Sequence, residues 1–193
     1  MISFGTLGVG YATWSENVTI NQTATTTYWE RGGTYGFWKN WDRHETYNAT
    51  QIEQWLVSIN ATSQWLVPDI AGDGIDIGDM EAVFASCVGS EQDPEYKWQA
   101  HFLCHYLATR LNVEAGRLST EPTRDFTGYD PDDYLGLGQL GTLEEIIWGR
   151  EDSMGTVIPG TGIEGKCPPT PEPTDKQFEL MKTICDALNN VKL

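Results

Sequence analysis

Residues 10–24, GYATWSENVTINQTA, constrain the fold more than any other stretch, because side chains of opposite character alternate there with a period of two. One row contains Ala12, Trp14, Val18 and Ile20, and Glu16 is its only charged member. The residues at odd positions from 13 to 23 face the other way and none is apolar, so the pattern predicts a half-buried β-strand. A lone strand with an apolar face needs a partner edge, either from residues 25–36 folding back or from another subunit.

The polar face of this stretch carries two acceptor sequons for N-glycosylation, at Asn17 and Asn21. Two more lie at Asn48 and Asn60, so four of the eight asparagines belong to sequons. About one sequon would be expected by chance in a chain of this serine and threonine content. The excess favours an exported protein that is displayed at the cell surface.

The composition argues against several classes of function. The 193 residues include 28 acidic and 12 basic side chains, which leave a net charge of −16. Such a surface repels nucleic acid and anionic membranes, since both require a basic footprint. No segment reaches the ~20 apolar residues of a membrane span. The start, MISFGTLGVG, lacks the basic residues of a complete signal peptide, so we expect membrane contact only through an export signal, removed or retained.

Four cysteines support the same compartment, because they are even in number and lack the C-x-x-C spacing of redox and zinc motifs. We expect two disulfides, for which three pairings are possible. The favoured pairing joins Cys87 to Cys104 and Cys167 to Cys185, since each bond would tie a loop or helix end to an adjacent helix.

Helical periodicity dominates the rest of the chain. Apolar residues recur at helical spacing from about residue 48, from Asp79 to Cys87, from Glu95 to about Val113, from Thr142, and after a predicted capping box at Thr174 and Gln177. Residues 119–141 read as loop, and PPTPEP reads as a stiff linker before the last helix. We therefore predict an α+β protein, with residues 1–35 forming the apolar segment and strand or hairpin, and residues 36–193 forming a mainly helical, disulfide-tied body.

An acidic, glycine-containing loop between two predicted helices is the best candidate for a metal site. Its alternating carboxylates resemble the calcium loop of EF-hand and dockerin modules, with Asp69, Asp73, Asp76 and Asp79 as candidate Ca²⁺ ligands. The match is incomplete, because Ala71 stands where a ligand belongs and one residue is missing before Ile75. The alternative is an acidic loop in which Asp79 caps the following helix.

Two further patterns have ordinary explanations. His101 and His105 lie one helical turn apart, the spacing of a metal pair, but no glutamate lies between them to act as a base. They are therefore expected to be packed or hydrogen-bonded core histidines. Two G-x-G-x-x-G strings, beginning at Gly136 and Gly160, follow no apolar strand, so they do not predict a dinucleotide site.

The run Leu7-Gly-Val-Gly-Tyr-Ala-Thr-Trp-Ser-Glu-Asn-Val-Thr-Ile-Asn is similar to the start of surface proteins exported with the SipW-type signal peptidase. That group includes the TasA and camelysin filament subunits and the archaeal bundling pili. Gly36-Phe-Trp-Lys-Asn-Trp, Phe102-Leu-Cys-His-Tyr-Leu-Ala-Thr-Arg-Leu-Asn-Val and Gln177-Phe-Glu-Leu-Met-Lys resemble motifs in secreted, many of them archaeal, surface proteins. The TasA-like resemblance implies assembly by donor-strand complementation, although TasA-like subunits are jelly rolls and this body is predicted to be helical.

These observations favour a non-enzymatic, glycosylated, extracellular structural subunit that polymerises with itself. The predicted intersubunit strand presents Tyr11, Trp14, Val18 and Ile20 to the neighbour. Two alternatives remain at this stage. One is a monomeric, Ca²⁺-dependent cell-surface or carbohydrate-binding module that uses the four loop aspartates, and the other is a secreted metal-dependent hydrolase that uses His101 and His105.

Overall fold

A computed structural model describes residues 32–44, 46–66, 75–89, 97–167 and 172–190. These residues form a mainly helical body with one small sheet. The elements in chain order are α1 (Tyr35–Lys39), α2 (Ala49–Thr62), α3 (Ile77–Gly89), α4 (Lys97–Glu114), β1 (Thr123–Asp125), β2 (Leu140–Thr142), α5 (Leu143–Trp148) and α6 (Asp175–Asn189), with 3₁₀ turns at Trp41–Arg43 and Glu164–Lys166. The predicted N-terminal strand, with Asn17 and Asn21, lies outside the described residues, as do Asp69 and Asp73.

Helix α4 is the centre of the body. Its residue Phe102 and the continuous run 104–112 are all buried, which a helix achieves only when neighbours cover it on several sides. It packs most extensively against α6 and also contacts α1, α2 and α3. The helix predicted from Glu95 to about Val113 is confirmed, and Gly116, just beyond its end, has a φ of 66° that is readily adopted only by glycine.

Helix starts follow local capping chemistry. Thr142 and Glu145 form a capping box at α5, and the backbone amide of Thr174 donates to Gln177 Oε1 at 2.8 Å before α6, as predicted. At α3 the capping residue is Asp76 rather than Asp79. The amide of Asp79 donates to Asp76 Oδ1 at 2.9 Å, and the amide of Asp76 donates to Asp79 Oδ2 at 3.2 Å. The helix therefore begins earlier than the sequence indicated.

The sheet falls in the segment that the sequence marked as loop. β1 and β2 pair antiparallel with Arg124 opposite Gly141. Each strand has only three residues, too few to show a period of two, and turn-forming residues fill the segment between them. The pairing depends on contacts between distant positions, which explains why local pattern missed it.

One of the two expected disulfides is present. The bond between Cys87 and Cys104 joins α3 to α4, as predicted. Cys185 on α6 is instead a buried free thiol, so the predicted bond to Cys167 is wrong. Cys185 belongs to the apolar stripe by which α6 packs on α4, and that position serves core packing.

Candidate functional site

The structure fastens the body to the N-terminal segment at Gly32 and Gly33, where the described residues begin. The fully buried side chain of Asn112 on α4 makes this attachment. Its Oδ1 accepts hydrogen bonds from the Gly33 amide at 2.7 Å and from Trp38 Nε1 at 3.0 Å. Its Nδ2 donates to the Gly33 carbonyl at 2.8 Å and to Asn189 Oδ1 at 2.8 Å. We call Gly32, Gly33, Asn112 and Asn189 the anchor.

Asn189 extends the anchor to the end of α6. Its Oδ1 also accepts from the hydroxyl of Thr109 at 3.1 Å, and its Nδ2 donates to the backbone carbonyl of His105 at 2.9 Å. The Oδ1 and Nδ2 atoms of Asn112 and of Asn189 therefore all have hydrogen-bond partners within the protein. Satisfied polar networks of this kind hold a chain segment in one position.

Both glycines are required by close approach rather than by turn geometry. A Cβ atom built on Gly32 would lie 2.3 Å from the carbonyl oxygen of Asn189. One built on Gly33 would lie 2.7 Å from Phe37 Cδ1 and 2.9 Å from Trp38 Nε1. The backbone at these two glycines therefore passes directly against α6 and the aromatic side chains of α1.

Aromatic packing makes the anchor rigid on its other side. Trp38 is completely buried, stacks on Tyr47 at a centroid distance of 5.5 Å and meets Trp55 edge-on at 6.1 Å. The tryptophans of this region therefore serve as core, which the sequence alone could not distinguish from a sugar-stacking surface.

Next to the anchor lie the residues of the hydrolase alternative. His105 is 7% exposed, and burial lowers its pKa to about 4 against the opposing effect of Asp186, whose Oδ1 lies 3.3 Å from His105 Nδ1. Burial raises the pKa of the Cys185 thiol to about 12. At neutral pH the imidazole is therefore neutral and the thiol is protonated, which is the opposite of an activated cysteine. His101 is half-buried and packs edge-on against Trp98.

A second buried polar cluster was not predicted from the sequence. Arg110 on α4 is fully buried, with Nη1 3.4 Å from Glu164 Oε1 and the guanidinium 5.0 Å from the centre of the Trp148 ring. The Tyr106 hydroxyl donates to the same Glu164 oxygen, and burial, followed by the Glu164 charge, raises the pKa of that tyrosine. The only sequence signal for this cluster was the charged residue Arg110 at a helical position that is otherwise typical of the core. The enclosed pair joins the 3₁₀ turn at residue 164 to α4.

The candidate calcium ligands are only partly described. Asp76 and Asp79 are both engaged in capping α3, while Asp69 and Asp73 fall outside the described residues. Within the described ranges, no group of three or more histidine, cysteine or acidic side chains is arranged to hold a metal ion.

The two glycine-rich strings form loops. Gly136 and Gly138 have φ of 68° and 71°, and Gly160 and Gly162 have φ of 76° and 67°. The second string packs against the end of α5, where a Cβ built on Gly162 would lie 2.4 Å from the Gly149 nitrogen. The Gly162 amide also donates to the Leu135 carbonyl, next to the first string, at 2.9 Å. These glycines provide left-handed backbone conformations in a closely packed loop region.

The described sequons differ in their surroundings. Asn48 is exposed and is the N-cap of α2, whereas Asn60 lies in the last turn of the same helix with a buried Oδ1 atom.

No family model matches the chain, and no curated protein or solved structure shows significant similarity to it. Among the helices that the structure describes, none combines the length and the apolar character needed to cross a bilayer.

Proposed function

We propose that this protein is a secreted, glycosylated structural subunit of an extracellular filament or surface layer, and that subunits join through the strand predicted at residues 10–24. The observation that carries the proposal is the anchor. A segment that transmits force or register between subunits needs a fixed attachment to its own body. Asn112 and Asn189 offer such an attachment at Gly33, nine residues after the end of the predicted strand.

The body supports this proposal through its closed core. The buried apolar residues of the described chain run from Trp38 to Leu188 and form one cluster. Every described helix of eight or more residues contributes to this cluster, and we assign the row of Trp14, Val18 and Ile20 to contact with a neighbouring subunit. That row can then bind the edge of a neighbour, where backbone pairing gives affinity and side-chain pockets give register.

The disulfide supports export. Cys87 and Cys104 are bonded in the structure, and such bonds persist in oxidising compartments outside the cytosol. The net charge of −16 keeps subunits soluble until specific pairing occurs and disfavours nucleic acid and anionic lipid as partners.

The experiment compares two charge substitutions on opposite faces of the predicted strand, Ile20→Asp and Ser15→Asp, in the full-length protein. Each adds one negative charge and leaves all four sequons intact. We expect negative-stain electron microscopy to show filaments for the wild type and for Ser15→Asp but dispersed particles for Ile20→Asp. Circular dichroism provides the control that both variants keep the helical body. Equal polymerisation of the two variants would contradict the proposal.

A Ca²⁺-dependent binding module is the alternative, and the same preparation tests it. The results support the binding module if the wild type forms dispersed particles, if Ca²⁺ raises its melting temperature, and if Asp73→Ala abolishes that rise. Because Asp76 and Asp79 already cap α3, the unsubstituted protein needs no cation to begin that helix.

A further inference from the structure

We propose that, of the two described sequons, the folded protein accepts an N-linked glycan at Asn48 and excludes it at Asn60. This inference rests on the proposed function, which places the protein in a compartment where N-glycosylation occurs. Asn48 is the N-cap of α2 and Asn60 lies in the last turn of the same helix, so the comparison concerns the two ends of one helix.

The backbone at Asn48 already has the conformation that a glycosyltransferase can bind. Asn48 has φ of −94° and ψ of 164°, which is extended, and it lies just outside the helix. The side chains of Asn48 and Thr50 are both exposed, and Thr50 is in the first helical turn, which opens more readily than a helix interior. Within the described residues, Asn48 Nδ2 donates no hydrogen bond.

Transfer at Asn48 also preserves the helix cap. The bond that forms joins Asn48 Nδ2 to C1 of the sugar, and the bond that breaks joins C1 to the phosphate of a polyprenyl-linked oligosaccharide donor. The amide loses one proton, and the phosphate leaves with the electron pair. Asn48 Oδ1 is unchanged by this step, so it still accepts from the Gln51 amide at 2.9 Å.

The threonine of the Asn60 sequon is already engaged in hydrogen bonds within the protein. The Oδ1 atom of Asn60 is buried and accepts no hydrogen bond from the described residues. The hydroxyl of Thr62, the third residue of the sequon, donates to the Ser58 carbonyl at 3.0 Å and accepts from Nη2 of the buried Arg110. A transferase that recognises this hydroxyl must first break both hydrogen bonds.

The chain beyond Asn60 is attached to the body as well. Ser63 is 4% exposed, the Gln64 amide donates to Glu164 Oε2 at 2.8 Å, and Trp65 Nε1 donates to the Ile163 carbonyl at 2.8 Å. Unwinding the last turn of α2 therefore disrupts contacts to a distant loop, whereas unwinding at Thr50 does not. The helix position alone would not distinguish the two sequons, but these contacts do.

The test uses purified full-length folded protein, an archaeal single-subunit oligosaccharyltransferase and a lipid-linked oligosaccharide. Cleavage after Glu53 separates the two sequons, so mass spectrometry measures the occupancy of each. We expect modification at Asn60 to be at least about tenfold slower than at Asn48, because it requires local opening of the packed turn. Synthetic peptides 44–54 and 56–66 should both be modified, which assigns the difference to the fold.

Variants make the assignment specific. Thr50→Ala removes the sequon at Asn48 but keeps Asn48 as the cap of α2. Modification at Asn48 should therefore disappear while the melting temperature is unchanged. Asn60→Gln should leave the total glycan mass unchanged. Equal occupancy at the two sites in folded protein, or no transfer to Asn48 when the peptide is modified, would overturn the inference. Filament formation by the unglycosylated protein is measured separately. A failure of the predicted difference between Asn48 and Asn60 is therefore distinguishable from a failure of the proposed function.

Discussion

Replacing Asn112 by alanine tests whether the anchor stabilises the body to the extent that its hydrogen bonds imply. The substitution removes four hydrogen bonds and leaves the Gly33 amide, the Gly33 carbonyl and Trp38 Nε1 without the partner they had. Each buried polar group left unpaired costs about 1–3 kcal/mol, and water that enters the space recovers part of that cost. We therefore expect a loss of about 3–4 kcal/mol in the free energy of unfolding, a large share of the ~5–15 kcal/mol typical of a domain.

The measurement is urea unfolding followed by tryptophan fluorescence, with the midpoint and slope fitted together. We expect the midpoint to fall at an unchanged slope, because the surface exposed on unfolding is nearly the same. The control is Asn190→Ala, which removes two exposed hydrogen bonds to Asp186 next to the anchor and should cost only about 0.5 kcal/mol. Asn112→Asp keeps the side-chain volume and removes the Nδ2 donor, so it separates lost hydrogen bonding from lost packing.

The sign of the pH dependence of Asn112→Asp provides an internal check. Burial raises the pKa of the introduced carboxyl, so the folded protein favours the neutral form. Destabilisation should therefore be greater at neutral pH than at acid pH, relative to the wild type measured at each pH. If Asn112→Ala lowers the free energy of unfolding by less than about 1 kcal/mol, the hydrogen-bond reasoning is refuted.

Four other perturbations have defined outcomes. Gly32→Ala places a methyl group against the end of α6, and we expect a lower urea midpoint, whereas an unchanged midpoint would mean that the anchor backbone moves without cost. Burial lowers the pKa of His105 to about 4, so the unfolded chain binds this proton more readily than the folded protein does. The contribution of His105 to stability is therefore lost as pH falls from about 6.5 toward 4. The free energy of unfolding of His105→Gln should depend less steeply on pH in that window. Reduction of the Cys87–Cys104 disulfide, which spans 17 residues, should lower the free energy of unfolding by about 3 kcal/mol. A maleimide should modify Cys185 in urea but not in buffer, because the thiol of the folded protein is buried and protonated.

Short-range pattern predicted the helices well. The apolar stripe of α6, including Phe178 and Met181, is buried as expected, and the Thr174–Gln177 pair begins that helix. Such features depend on residues three or four apart, and the geometry of one helical turn determines which side chains meet. The Cys87–Cys104 bond was predictable for a related reason, since few residues separate two consecutive helices.

The limits of the sequence appear where a residue acts on a distant part of the chain. Asn112 and Arg110 belong to a helix that reads as uniformly buried, and nothing local indicates that one of them holds Gly33, 79 residues away, or that the other pairs with Glu164, 54 residues away. Asp76 rather than Asp79 caps α3, because the local pattern does not distinguish two acidic residues that lie three positions apart at a helix start.

The amino-acid sequence by itself determined the mainly helical body, the principal buried faces and the predicted alternation of residues 10–24, because these follow from local periodicity and capping. Only the tertiary structure decided the position of the anchor, the free thiol at Cys185, the β1–β2 pairing and the contrast between Asn48 and Asn60. Each of these depends on which distant segments pack together, and the packing of the whole core selects those contacts rather than any spacing along the chain.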